Sequence, residues 1–434
     1  MPLQIQDLLN RRKPGLLAGL IALSAMGMAQ AQEVDRPAGT SGLRFSGFGS
    51  LGLSHVDAPT GWGYRRELTQ GGSDDSWRAD VDSRLGVQLN YSLGSRFELV
   101  AQVIAKKRGA YAKDSDALEW AYASYRPDAD WTLRAGRVNL DAFLMADYRN
   151  VGFGFMTARP PIELYGMLPT TLDGADVARS WFQGDAQWRA KLMMGRAGIG
   201  DYDAAKPGST RDVLGLMLSR EEGGLLVRAS IARTRIHIDL SDQRPAMDAL
   251  GQLAGLPIPA VADTARVLRE RMGEQPTRAV FYELGLRHEL ADWQWSAEFV
   301  RIAGDPLIKQ SSAYATAGRR FGDWTPFVGY GRSRDTMPVV AQPAWQAVLT
   351  PVIGPGGAAQ AQFLGSAITA AVNGSRVRQS TWSVGARWDF HPQAALKLQW
   401  DESRIEAFGS GLWTQADGSA ARSRVATAVV DFIF

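Results

Sequence analysis

The sequence predicts an all-β fold: a transmembrane antiparallel up-and-down β-barrel of about sixteen strands, with short turns at one end and long loops at the other. Three observations carry this. Apolar and polar residues alternate with a period of two over segment after segment. Every second connection is about three or four residues, whereas those between reach roughly forty. The last strand ends the chain on a bare aromatic, Phe434.

Residues 1–31 read as a secretory signal peptide. Arg11, Arg12 and Lys13 form its positive region, residues 15–28 are mostly apolar, and Ala29-Gln30-Ala31 is the small-residue cleavage site, cut after Ala31. The apolar run is too short for a stable spanning helix, and no later run is long enough. The chain has no cysteine, which excludes disulfides, thiolate metal sites and cysteine nucleophiles. The net charge of +3 falls close to neutral without the basic leader, so composition gives no reason to propose nucleic acid as a partner. Residues 32–434 show no linker or composition break. Their many glycines and tryptophans suit strands, turns and aromatic girdles.

Strand one, 43–54, puts Leu43, Phe45, Leu51 and Leu53 on one face and Arg44, Ser46, Ser50 and Ser54 on the other. Strand two, 78–91, sets Val81, Leu85, Val87, Leu89 and Tyr91 against Arg78, Asp80, Asp82, Arg84 and Gln88. Strands three to five fall at 96–106, 119–125 and 131–138, with tight turns at 92–95 and 127–130. A long connection to about residue 174 leads to strands six and seven, 175–182 and 186–196. Strands eight and nine, 211–220 and 225–236, flank Glu221-Glu222-Gly223-Gly224. After a loop over 238–277 come strands at 278–289, 293–301, 309–320 and 324–332. A loop over 334–377 precedes 378–390 and 394–404, and 423–434 closes the series. Within the long loops, 246–272 reads as two short helices split by Pro257 and Pro259, and 358–372 as another. These would plug the mouth, contact a neighbouring subunit or cap the rim.

Alternation alone fits a soluble sandwich as well as a barrel. The alternation of short and long connections favours the barrel, and an even strand count puts both termini on the periplasmic side. Trp131, Trp293, Trp295, Trp324, Trp388, Phe390 and Phe434 lie beside short turns or at that terminus, as an interfacial belt would. A barrel of this size leaves an aqueous lumen. Strand parity lines it with Arg78, Arg84, Lys106, Arg134, Arg189, Lys191, Arg211, Arg228, Arg287, Arg387 and Lys397. Facing them are Asp80, Asp82, Glu98, Glu283, Glu298, Asp389, Asp401 and Asp431. The excess is slightly basic, and basic rings favour anions.

Residues 131–137, Trp-Thr-Leu-Arg-Ala-Gly-Arg, and the loop after them resemble the general porin family of proteobacterial outer membranes. The leader, the strand pattern and the terminal Phe434 share that resemblance. In that family the third external loop folds into the barrel and narrows it. The resemblance assigns this constriction to 139–173, with Asp141, Asp147, Arg149, Arg159, Glu163 and Asp173 as its charged residues. Phe143, Phe153, Phe155 and Tyr165 would anchor the loop inside. Arg159-Pro160-Pro161-Ile162-Glu163 stands where many general porins carry Pro-Glu-Phe-Gly-Gly. The resemblance further implies the Gram-negative outer membrane, contact with its lipid, a homotrimer, and insertion by the barrel assembly machinery with Phe434 as signal. It implies no catalytic residue, cofactor or metal.

The expected function is a passive, water-filled channel for small hydrophilic solutes and ions. One alternative is a selective channel for an anionic or carboxylate nutrient, with Arg134, Arg149 and Arg159 as a ladder. Another is a structural or adhesion barrel closed by its loops. The four histidines fall at opposite ends of the barrel, so no metal cluster is expected. His288 faces lipid by parity, but no serine partner is identifiable for a barrel hydrolase.

Overall fold

The structure is a computed structural model that describes residues 42–109, 112–167, 169–199 and 208–434. The signal-peptide reading and Ala31 lie outside these residues. Sixteen antiparallel strands close into a barrel. They are β1 (Gly42–Asp57), β2 (Arg84–Leu93), β3 (Phe97–Lys106), β4 (Leu118–Tyr125), β5 (Trp131–Asn139), β6 (Thr171–Gln183), β7 (Ala186–Ile199) and β8 (Gly208–Glu222). There follow β9 (Leu225–His237), β10 (Thr277–Leu290), β11 (Trp293–Gly304), β12 (Ile308–Arg319), β13 (Trp324–Asp335), β14 (Val377–His391), β15 (Ala394–Ser410) and β16 (Ala421–Ile433). Each strand pairs with its sequence neighbours. β1 seals the sheet, with Gly42 to Ser50 along β2 and Phe48 to Asp57 along β16.

Tight turns join the strands at one end. Gly223 and Gly224 both have positive φ, as a two-residue hairpin turn demands. At the other end the connections are long, with one exception at 305–307. Outward-facing Leu43, Leu85, Leu99, Leu133, Leu216, Leu284 and Val384 are exposed, whereas inward-facing polar residues on the same strands are covered. The turn end carries stacked aromatics: Trp324 on Trp388 at 5.4 Å and Trp181 on Trp188 at 6.2 Å. A closed sheet with an apolar outer wall and an aromatic girdle is the architecture that satisfies every backbone group in lipid.

The long loops build structure of their own. Residues 238–276 form helices α2 (Arg244–Ala254) and α3 (Pro259–Arg271), and 336–376 form α4 (Trp345–Gly374), kinked at Gly354. Their apolar faces meet, with Leu250, Val261, Leu268, Trp345 and Leu349 fully covered. The loop after β5 carries one helical turn, α1 (Ile162–Tyr165).

Three expectations are corrected here. The second strand begins at Arg84, not residue 78. Arg78, Asp80 and Asp82 belong to the 58–83 loop, where Trp77 and Arg78 pair briefly with β1. Ser83 Oγ donates to the Ala79 carbonyl at 2.5 Å, closing the chain on itself, and Val81 is buried with the loop instead of facing lipid. Asp173 is not in the loop after β5. It lies on β6, opposite in parity to the buried Leu172 and Asp176, and pairs with Arg137 at 2.7 Å. A bulge across β7–β9 also leaves Arg211 exposed instead of lining the lumen.

Candidate functional site

The site is the lumen, and two loops fill it. Loop 140–170 crosses the barrel and touches its wall nearly all the way round. Asp141 pairs with Lys191 on β7 and with Arg228 on β9, the latter at 2.7 Å. The Leu144 amide donates to Glu298 on β11 at 3.0 Å, and Tyr165 Oη donates to the same carboxylate at 2.5 Å. Asn150 donates to Glu119 on β4 at 3.1 Å. Lys397 on β15 donates to the carbonyls of Gly152 and Thr157 and pairs with Asp431 on β16 at 2.9 Å. Arg387 on β14 donates to the carbonyls of Phe153 and Phe155 at 2.7 and 3.1 Å. Cations aimed at bare carbonyls make strong bonds, and they answer backbone groups that a loop taken out of water leaves without partners.

Apolar packing completes the seat. Phe143, Met145, Leu164 and Tyr165 bury against Met193, Met217, Val300 and Tyr314 of the wall. Glu163, on α1, accepts from Gln379 at 2.8 Å and from Thr381. Gly331 makes room for it: a Cβ there would lie 2.6 Å from the carboxylate. Burial pushes the Glu163 carboxyl up, and the two hydrogen bonds offset this only in part.

Loop 58–83 is the second occupant, and sequence reasoning missed it. Trp62, Tyr64 and Leu68 bury with Leu412 and Trp413 of the 411–420 loop. The Leu68 amide donates to the Gly166 carbonyl at 2.7 Å, joining the two inward loops directly. Glu67 meets Lys106 on β3 at 2.5 Å and Arg149 at 3.6 Å. Burial pushes its carboxyl up, but Lys106, Arg66 and Arg149 outweigh that and hold it well below the usual carboxylate range. The sequence signal was there: aromatic and aliphatic residues interleaved with Arg65, Arg66 and Glu67 are poorly suited to a solvated loop.

The remaining candidates are placed as follows. Asp82, fully buried, is shared by Arg66 at 3.2 Å and Arg159 at 2.6 Å, with Arg84 at 3.8 Å. Arg78 is spent within its own loop, on the Tyr64 carbonyl and Asp80, and Asp80 also meets Lys107 at 2.5 Å near the loop end. Arg134 grips Asp176 on β6 at 2.5 Å, and Asn139 beside it donates to Asp147. Arg134, Arg149 and Arg159 therefore do not form an open ladder, because each guanidinium meets a carboxylate of the protein. A cleft of about 30 Å³ remains beside Arg159, Glu163, Asp401 and Tyr64. At the turn end the lumen opens: Arg44 is largely exposed, with Glu98 at 4.0 Å and Arg126 beyond it.

No protein-family model matches the sequence, and no curated protein does. Solved structures do match the fold. An anion-selective porin from Comamonas acidovorans superposes with a TM-score of 0.51 at 11% identity, covering 91% of this chain and 100% of that one. The outer-membrane channel DcaP of Acinetobacter baumannii gives 0.48 at 12% identity, with 92% and 99% covered. Salmonella typhi OmpF gives 0.47 at 12% identity, with 90% and 97% covered. The chain has the closed sixteen-stranded transmembrane β-barrel fold of the outer-membrane porins.

Proposed function

We propose that this protein is a channel of the Gram-negative outer membrane that passes small hydrophilic solutes and ions by diffusion. One observation carries the reading. The wall is apolar outside and lined inside by hydroxyl, amide and charged groups, a combination that suits a water-filled path through lipid. The short turns then face the periplasm and the helical loops the exterior. Nothing in this reading calls for a catalytic step or a cofactor. Phe434 serves as the insertion signal to the assembly machinery, and the functional unit is a homotrimer, to be checked by the native mass of the detergent-solubilised protein.

The occupied interior supports a narrow path over a wide one. A selective channel for anionic nutrients would need Arg134, Arg149 or Arg159 to exchange a buried carboxylate for the solute. Solute loses that contest unless it displaces a loop, because a paired buried guanidinium is already neutralised. The reading is tested by planar-bilayer conductance of the refolded mature protein, with reversal potential under a KCl gradient. Small ohmic steps are expected. Well-folded protein that gives no steps overturns the channel and favours a structural barrel sealed by its loops.

A further inference from the structure

We infer that Arg159 is the positioning residue that sets the width of the passage, by tying both inward loops to one wall of the barrel. The inference rests on the channel reading above. Arg159 belongs to loop 140–170 and is almost wholly buried. On one side its guanidinium and Nε bond to Asp82 at 2.6 to 3.2 Å and to Tyr64 Oη at 3.1 Å, both in loop 58–83. On the other it reaches Asp401 on β15 at 2.9 Å, Thr427 on β16 at 2.5 Å and Ser54 on β1 at 3.4 Å. One planar group with fixed donors thus joins two loops and three strands. Arginine can do this because its donors fork in different directions, and lysine, a single point charge, cannot.

Loop 140–170 has other fastenings on either side of this point. Lys397 and Arg387 hold 152–157, and Gln379 and Thr381 hold Glu163. Loop 58–83 keeps Arg66 on Asp82 and Lys106 on Glu67. Removing the guanidinium therefore leaves both loops inside and frees the seam between them. That seam adjoins the cleft already present beside Arg159, along β12–β16. The cleft's charge changes too. Glu163 and Asp401 line it, Asp82 lies across the Arg159 guanidinium from Asp401, and Arg159 is the one cation among the lining residues. A vacated seam is wider and acidic, and an acidic constriction favours cations.

The experiment compares single-channel conductance and KCl reversal potential for wild type, Arg159→Ala and Arg159→Lys, each first shown to be folded by its heat-modifiable gel mobility. Arg159→Ala is expected to conduct at least about twofold more per step and to shift toward cations, as an acidic pore should. Arg159→Lys keeps the charge without the fork, so it should conduct more than wild type with little change in selectivity. It also keeps the test decisive if Arg159→Ala does not fold. Folded variants with wild-type steps and wild-type reversal potential overturn the inference and leave the channel reading intact. Silence from wild type and folded variants alike overturns the channel reading itself.

Discussion

The loops at 140–170 and 336–376 leave the same end of the barrel, yet they solve burial in opposite ways. The first enters the lumen and is fastened by charge, through Asp141, Arg159, and the carbonyls held by Lys397 and Arg387. The second carries no Asp, Glu, Lys or Arg from Thr336 to Ser375 and buries one apolar face, with Trp345, Leu349 and Ile368, against the helices of 238–276. The difference teaches what a polar wall selects. A lumen lined with ions and hydroxyls holds a loop that offers counter-charges and bare carbonyls, because both partners would otherwise be desolvated without compensation. An uncharged loop gains nothing there, and its helices satisfy their backbone internally.

The comparison can be broken most forcefully at Lys397. Lys397→Ala strands Asp431 and two loop carbonyls in a dry site, and loss of one partner of a buried pair costs about 3–5 kcal/mol. Denaturant unfolding of the detergent-solubilised barrel should show that loss, with early proteolysis within 150–160; an unchanged midpoint would mean the loop is not held there. Leu250→Ala attacks the other loop system. Leu250 is fully buried between helices, and such truncations cost about 2–5 kcal/mol. Here the helices of 238–276 should loosen to protease while unitary conductance stays near wild type, since the inward loops are untouched. A conductance change would tie the outer helices to the passage.

Proton titration gives a finer test, because two buried carboxyls on the inward loops respond with opposite sign. Glu67 is depressed by Lys106, Arg66 and Arg149 against the push of burial, so its contribution is present above the unfolded value of about 4.3 and is lost as pH falls. Protease sensitivity of 58–83 should rise on acidification, and Glu67→Gln should flatten that response; parallel curves would contradict it. Glu163 is raised by burial, so its contribution is full below about 4.3 and is lost as pH rises through its raised value. Glu163→Gln should therefore tighten loop 140–170 at neutral pH relative to wild type, read by the same digestion. The smallest effect is expected at Phe363, which is 77% exposed on α4: Phe363→Ser should move stability by no more than about 0.5 kcal/mol.

Much of this was legible in the sequence, and the failures have physical causes. Period-two segments and tight turns such as Glu221 to Gly224 locate strands well, because a one-residue slip would invert every side chain. Asp141, Arg149, Arg159 and Glu163 share a loop whose apolar anchors, Phe143 and Tyr165, are visible in the sequence, and all four are buried in the structure. Arg78, Asp80 and Asp82 misled because alternating charges imitate a strand, whereas here they serve turns and ion pairs within a loop. Asp173 misled because strand β6 starts earlier than its pattern suggests, and the outward parity follows from that start. Partner choice was not legible at all. Nothing in the spacing of Asp82, Arg159 and Asp401 announces that they meet, because their contact depends on where two loops cross a cylinder.

The central claim is that loops 58–83 and 140–170 together cover the inner wall at β14–β16. It is tested most directly by thiol labelling, since the chain has no cysteine of its own. Ser403→Cys places one thiol on that wall, at a residue only 4% exposed, and Phe363→Cys places one on the open face of α4. With a water-soluble maleimide of sugar size, Phe363→Cys should react quickly and Ser403→Cys slowly in the folded barrel, with Ser403→Cys accelerating when Arg159→Ala is added. Equal rates at the two positions in the otherwise unaltered protein would show an open wall and contradict the account.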